Sequence, residues 1–418
     1  MTVALPQDRA LIGAGLGPWA LFAGLIAAAG LPIYIHAPKV YADDHGVSLA
    51  TLGAVLFGLR LLDVVQDPAL GWLAERTRAR RGAMVAGAVA LMASAMVGLF
   101  AVAPPVAPVL WFALILTVLF SAFSFLTIAF YAEGVARAGR MGPGGHLRLA
   151  GWRESGALVG VSLAAVAPVA LAAVMDAPFA GFALGFAGVG ALAVLVMRRE
   201  WTGGGAAPSG GWRPVLADPL ARRLLLIALV NAAPVAVTST LFLFFVESRL
   251  AAPGWEGPML LLFFLSAAAS APVWGRLAGR FGEKRALLAG MGLAIAAFAF
   301  AATLGAGDIA AFALICAASG AAMGADLTLL PAIFARRMSM IAPQAAAGFG
   351  LWSFVSKFAL AFAAVTLLPL LQAAGFAGPS SPAPALDLLS TLYALVPCAL
   401  KLIAIALLAA TPVTEETP

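Results

Sequence analysis

Apolar stretches long enough to cross a lipid bilayer recur from one end of this chain to the other, and that recurrence constrains the fold more than any single residue does. A helix needs roughly 20 mostly apolar residues to cross the hydrocarbon core. Twelve such spans can be read, at about 11–36, 48–73, 83–103, 107–136, 147–172, 177–197, 220–247, 257–279, 285–305, 309–335, 344–373 and 387–411. With 63% of residues hydrophobic, 11% charged and a mean hydropathy of +1.01, no soluble globular class fits. Within lipid every backbone polar group must be satisfied inside its own segment, so the spans are predicted to be helices. The expectation is an all-α membrane protein of 12 transmembrane helices. The short N-terminal stretch shows no cleavage signature before the first span, so that span is expected to be retained.

Between spans six and seven lies the one stretch that reads as a linker, MRREWTGGGAAPSGGWRPVLADPLARR, rich in Gly, Pro and Arg. It suggests an N-terminal six-helix bundle over 1–198, a linker over 199–218 and a C-terminal six-helix bundle over 219–418. The loops on the side of the N-terminus hold 19 of the 25 Lys and Arg, against two on the other side, Lys39 and Arg249. By the positive-inside rule both termini are cytoplasmic, in a bacterial-type inner membrane, and the basic balance needs no nucleic-acid partner. Cys316 and Cys398 fall in apolar spans without metal-ligand spacing and read as small core residues. His36, Asp43, Asp44 and His45 lie in or beside an outer loop and read as solvated, with no metal and no cofactor expected beyond a coupling ion.

The halves repeat. GWLAERTRARR, from Gly71 to Arg81, aligns with GRLAGRFGEKR, from Gly275 to Arg285, and each copy joins the second and third span of its half. This is the pattern of two parallel repeats that rock about a central site. It resembles the loop motif G-x-L-A-D/E-R-x-G-R-R of the major facilitator superfamily, a resemblance that covers the whole length and implies two six-helix bundles. Gly71, Glu75, Arg76, Arg80, Arg81, Gly275, Arg280 and Arg285 are the expected gating residues, with the arginines and Glu75 forming charge pairs that close the cytoplasmic side.

Span two carries Arg60, Asp63 and Asp67, spaced to share one helical face. A carboxylate at this depth costs several kcal/mol, so the pair needs partners or a task. Pro68 frees the carbonyl of Val64, and together with Gln66 this makes an oxygen-rich pocket suited to Na⁺ or a proton. Alternatively Arg60 neutralises one acid and the group only pins helices. The same offset carries Pro68 onto Pro272 but the two aspartates onto Ala267 and Ala271, so the acidic pair belongs to the first half alone. Lys357, deep in span eleven, needs a carboxylate; the acidic pair is the first candidate, Asp326 of span ten the second. Lys401 in span twelve is expected to snorkel to the membrane surface.

Ser124, Thr127 and Tyr131 share a face of span four, and Trp152 and Arg153 open span five, an aromatic and guanidinium pair suited to a polar or anionic solute. The alternative is that Arg153 pairs with Glu133 or Glu154 as a gate. Asn231 is a further cavity candidate. At these residues the chain resembles the glycoside-pentoside-hexuronide:cation symporters, of which melibiose permease is the type: D-x-x-x-D-P-x-x-G is matched by Asp63, Asp67, Pro68 and Gly71. That resemblance implies a cation site completed by Ser124 and Lys357, with Arg60 at the place of a family arginine, and a solute pocket that includes Arg153 and Tyr131. Two carboxylates that contact sugar in that family are replaced by Trp19 and Thr127, so a galactoside does not transfer.

The sequence therefore points to a Na⁺- or H⁺-coupled symporter of a small polar solute, sugar- or glycoside-like, monomeric in the bilayer. The alternative is a lipid or lysolipid translocase on the same fold, since a wall of Pro18 and Trp19 would tolerate acyl chains. No P-loop, G-x-S-x-G or H-E-x-x-H motif points to an enzyme.

Overall fold

A computed structural model describes residues 15–30, 36–38, 40–42, 44–142, 144–201, 212–341, 346–376 and 378–413. Among the described residues twelve helices of 12 residues or more follow one another: α1 Gly17–Ala28, α2 Leu49–Arg76, α3 Arg81–Phe100, α4 Pro108–Gly139, α5 Gly145–Ala172 and α6 Pro178–Met197, then α7 Pro219–Phe244, α8 Glu256–Phe281, α9 Glu283–Ala299, α10 Ile309–Ile341, α11 Ala346–Ala373 and α12 Ala383–Ala409. Among the described residues α3 to α10 and α12 are long and apolar enough to cross a membrane, several counted with a flanking turn. Helices α2 and α11 have 28 residues each. The first predicted span is described only in part, through the 12 residues of α1.

The packing of the first half recurs in the second. Helix α1 packs on α5 and α6, α2 on α4, and α3 on α4 and α6; α7 packs on α11 and α12, α8 on α10, and α9 on α10 and α12. The halves meet chiefly through α2 with α11 and α5 with α8, again related by the repeat, and also through α10 with α4 and α5 and α11 with α4. Small residues set the tightest crossings. A Cβ at Gly156 or Gly160 of α5 would overlap the backbone of Ala20 or Gly24 of α1, and one at Gly320 of α10 would overlap Phe263 of α8. With no hydrophobic gain from moving a helix out of lipid, close backbone approach through small residues is what binds such helices.

The repeated motif is not a loop throughout. Gly71 to Arg76 continue α2, and Gly275 to Phe281 continue α8. Thr77 and a 3₁₀ turn at Arg78–Arg80 make the first connection, whereas Gly282, at φ +91°, makes the second alone. A positive φ of that size is open to glycine and strained for other residues. Prolines lie inside α2, α5, α7, α8, α10, α11 and α12. Transmembrane helices tolerate proline because neighbouring helices, hydroxyl side chains and local adjustments can re-satisfy the backbone groups it frees.

Candidate functional site

Helices α2, α4 and α11 converge on the acids singled out in α2. Asp67 has no exposed surface and Asp63 is 3% exposed, whereas Leu61, Leu62 and Val65 on the opposite face of the helix are exposed. Lys357 crosses from α11 in the other half. Its Nζ lies 3.1 Å from both oxygens of Asp67 and 3.6 Å from Asp63 Oδ2, and it donates to Ser124 Oγ of α4 at 2.5 Å. Ser353, one turn earlier on α11, donates to Asp67 Oδ2 at 2.5 Å. Behind Asp63, Gln66 Nε2 donates to Asp63 Oδ1 and Ser121 Oγ of α4 donates to Gln66 Oε1, each at 2.8 Å. One ammonium thus sits in a shell of carboxylate and hydroxyl oxygens, the donor set that a hard cation takes. The side chain of Arg60, expected beside these acids, lies outside the described residues.

The α2–α11 crossing that carries this centre is close. A Cβ on Gly350 would stand 3.0 Å from the Asp67 carbonyl oxygen and 3.2 Å from Gly71 Cα. Gly71 therefore belongs to the contact between the halves, where the sequence motif placed it among gating residues.

A second cluster joins α4 and α5. Arg153 lies face-on over the Tyr131 ring, 3.7 Å from its centroid. Arg153 Nε and Tyr131 Oη both donate to Glu154 Oε1 at 2.9 Å. Arg153 and Glu154 are buried, and Arg153 Nη2 finds no acceptor. Phe349 of α11 covers Tyr131 at 5.4 Å between centroids. Of the two acids that the gate reading of Arg153 offered, Glu154 is the one it pairs with. Trp152 takes no part in the stack and is 52% exposed. Thr127 directs its hydroxyl to Phe123 O of its own helix at 2.8 Å.

Three expectations need correction. Lys401 does not snorkel: it is buried, donates to Asn231 Oδ1 at 2.7 Å and pairs with Asp326. Asp326 and Asn231 therefore serve a lysine of α12 inside the second half rather than the α2–α4–α11 centre. Trp19 lines no open wall. It has no exposed surface, stacks on Phe130 at 5.0 Å and donates its indole N–H to Glu200 at 3.1 Å, where Glu200 also meets Arg137 at 3.3 Å. The gating arginines do not pair as expected. Arg81 meets Glu133 of the same half at 2.6 Å, Arg76 stacks on Trp72 of its own helix, Arg280 lies over Phe281, and Arg80 and Arg285 are exposed. Gly275 has open space around it, unlike its counterpart Gly71 at the α11 crossing. At the matching place in the second half Glu283 at the start of α9 meets Arg336 of α10 at 2.7 Å, the same helix link with acid and base exchanged.

The sequence reading missed Glu200 and Ser121, and treated Glu154 only as a partner for Arg153. Glu200 sits in a basic stretch after span six that reads as a solvated linker, so composition gave no signal for it.

Comparison with known proteins gives a consistent result. The family model described as MFS/sugar transport protein matches residues 19–415. Among solved structures, a bacterial homologue of the iron transporter ferroportin in an outward-facing state superposes with a TM-score of 0.70 at 15% identity, covering 95% of this chain and 99% of that one. The E. coli fucose:proton symporter gives 0.62 at 15%, covering 98% and 99%. The human organic anion transporter MFSD10 gives 0.64 at 17%, covering 97% and 100%. Among curated proteins no relative matches.

Proposed function

The chain belongs to the MFS/sugar transport protein family, transporters of the major facilitator fold rather than enzymes, and from that premise we propose a cation-coupled symporter of a small polar solute, sugar- or glycoside-like. Residues 1–198 and 219–418 are the two bodies that rock, joined by 199–218, in a bacterial-type inner membrane with both termini cytoplasmic.

One observation carries the reading: the Lys357 ammonium of one half occupies an oxygen shell built by Asp63, Asp67 and Ser124 of the other. Lys357 holds the place of the coupling ion. A Na⁺ or a proton arriving at the aspartates competes with that ammonium and loosens the tie between α2 and α11. The halves are then free to change their relation, and an ion that binds the two arrangements unequally shifts the balance between them. Solute binding falls to Arg153, whose buried Nη2 lacks an acceptor, and to Glu154, which supplies a carboxylate beside Tyr131. Tyr131 stands one helical turn from Thr127, so α5 contributes an acid close to where α4 has lost one. Phe349 covers this cluster in the observed arrangement, so solute contact there requires α11 to move. The lipid-translocase alternative rested on an apolar wall of Pro18 and Trp19, and of these Trp19 has no exposed surface to offer an acyl chain.

The test uses proteoliposomes and a solute chosen by a thermal-shift screen of sugars and glycosides, with and without Na⁺ at two pH values. Asp63→Asn and Asp67→Asn should abolish accumulation driven by a cation gradient while solute exchange at equal concentrations persists. Accumulation at the wild-type level in both variants would overturn the coupling role.

A further inference from the structure

The second half holds a partly open cavity of about 160 Å³ whose walls come from α7, α8, α9, α10 and α12. Its chemistry is segregated. Phe242, Phe263, Phe298, Phe312 and Tyr393 line one end, and Asp326 and Lys401 line the other. Phe312 and Asp326 are 14 positions apart on α10, about 21 Å at 1.5 Å per residue, so the cavity runs along the bundle. Lys401 bonds Asn231 and Asp326 Oδ2, but Asp326 Oδ1 is buried without any hydrogen-bond donor. Asp326 itself is only 7% exposed. A buried acceptor left unpaired is costly and uncommon, and this one stands at the floor of a cavity.

We infer that this cavity is a binding site for a single-ring aromatic with one neutral hydrogen-bond donor, the phenol and benzyl alcohol class. The hydroxyl donates to Asp326 Oδ1 and the ring lies next to it, among Pro234, Met323, Pro397 and Cys398, the lining residues within about one turn of Asn231, Asp326 and Lys401. Three observations select that class. An apolar cavity of about 150 Å³ holds one benzene ring, so the volume here suits one ring and a small substituent. The unpaired atom is an acceptor, so the ligand brings a donor. Lys401 already balances Asp326, and its ammonium beside the floor repels a cationic ligand. All five walls belong to one half, so rocking of the halves leaves the lining residues together. The occupant is accordingly an effector that stiffens the second half, separate from the solute and ion handled at α2, α4, α5 and α11.

The experiment uses the full-length purified protein in detergent with 4-fluorophenol and fluorobenzene as probes, followed by ¹⁹F NMR. The expected result is saturable binding of 4-fluorophenol, with fluorobenzene about tenfold weaker for want of the bond to a charged acceptor. Ala294→Phe, which fills the cavity from α9, should remove the saturable component. A second readout needs no substitution. Cys316 and Cys398 are the chain's two cysteines and both line the cavity, so 4-fluorophenol should slow their modification by methyl methanethiosulfonate, read by intact mass. Non-saturable partitioning equal in wild type and Ala294→Phe would overturn the inference. So would unprotected thiols in the wild type, or fluorobenzene binding as tightly as 4-fluorophenol.

Discussion

Replacing Lys357 by Gln tests the central claim most sharply, because it removes the ammonium and leaves the oxygen shell. Asp67 has no exposed surface, and it is held by the Lys357 ammonium and the Ser353 hydroxyl. Removing one member of a buried ion pair costs about 3–5 kcal/mol, chiefly because a charge is left without compensation. If the shell is a cation site, an external ion can take the vacated place. At a hundred times its dissociation constant a ligand that binds only the folded state returns about 2.7 kcal/mol, most of that loss. The assay is thermal unfolding of purified Lys357→Gln in choline chloride and in NaCl, each between pH 5 and pH 8. Recovery with Na⁺ identifies a sodium site, and recovery on acidification alone identifies a proton site. In the wild type the same additions act against a resident ammonium, so the response is smaller. The double variant Lys357→Gln with Asp67→Asn removes the ammonium and the carboxylate nearest to it, and should recover part of the lost stability without any cation. Equal destabilisation of Lys357→Gln in every condition would refute the reasoning, for the shell would then accept lysine and nothing else.

Three further outcomes are expected. Gly160→Leu should abolish the folded yield measured by size exclusion, since its Cβ alone overlaps the Gly24 backbone, whereas Gly151→Ala, with open space at its Cβ, should be tolerated. Gly350→Val should part α2 from α11, since backbone at Asp67 and Gly71 cannot give way as a side-chain tip can; faster hydrogen exchange over residues 67–71 checks it. Asp218 caps α7 through Ala221 N–H at 2.7 Å and pairs with Arg337 of α10, and the Arg337 hydrogen bond is the largest cause holding its carboxyl below the usual 3.8. A depressed acid contributes stability above its unfolded pKa and loses it as pH falls through the folded value. Asp218→Asn keeps a capping oxygen, so the difference from wild type should be about 1 kcal/mol or less, constant from pH 5 to pH 8, and should shrink below about pH 4.

What the sequence disclosed and what it withheld follow from one physical distinction. An intramembrane charge is expensive wherever its helix packs, so Asp63, Asp67 and Lys357 announced themselves as residues needing partners before any contact was known. The pairing of α2 with α11 was likewise reachable, since the acids at that depth were few. Partner choice elsewhere depends on which helices converge. Asp326, Asn231 and Lys401 were each visible as polar groups in apolar spans, but their meeting requires α7, α10 and α12 to close on one point. No spacing within a single helix encodes that closure. Trp19 was misplaced because a position taken from a related family says nothing of a side chain that changes from acid to indole. In this chain the indole turns into the helix packing, against Phe130 and Glu200.

The same geometry separates charges that hold a bundle from a charge that can couple. Arg81 with Glu133, Arg336 with Glu283 and Lys401 with Asp326 each join helices of one half, and Arg137 with Glu200 and Arg337 with Asp218 each tie a half to the end of the linker that adjoins it. Rocking of one half against the other leaves such pairs intact, so their energy is common to both arrangements and cancels from the difference. Lys357 stands in one half and its carboxylates in the other, so its interaction is strengthened or lost as the halves move. A ligand shifts a conformational equilibrium only by its differential affinity for the two states. An ion that competes with Lys357 has such a difference built in, whereas an ion attracted to any of the pairs confined to one half has none.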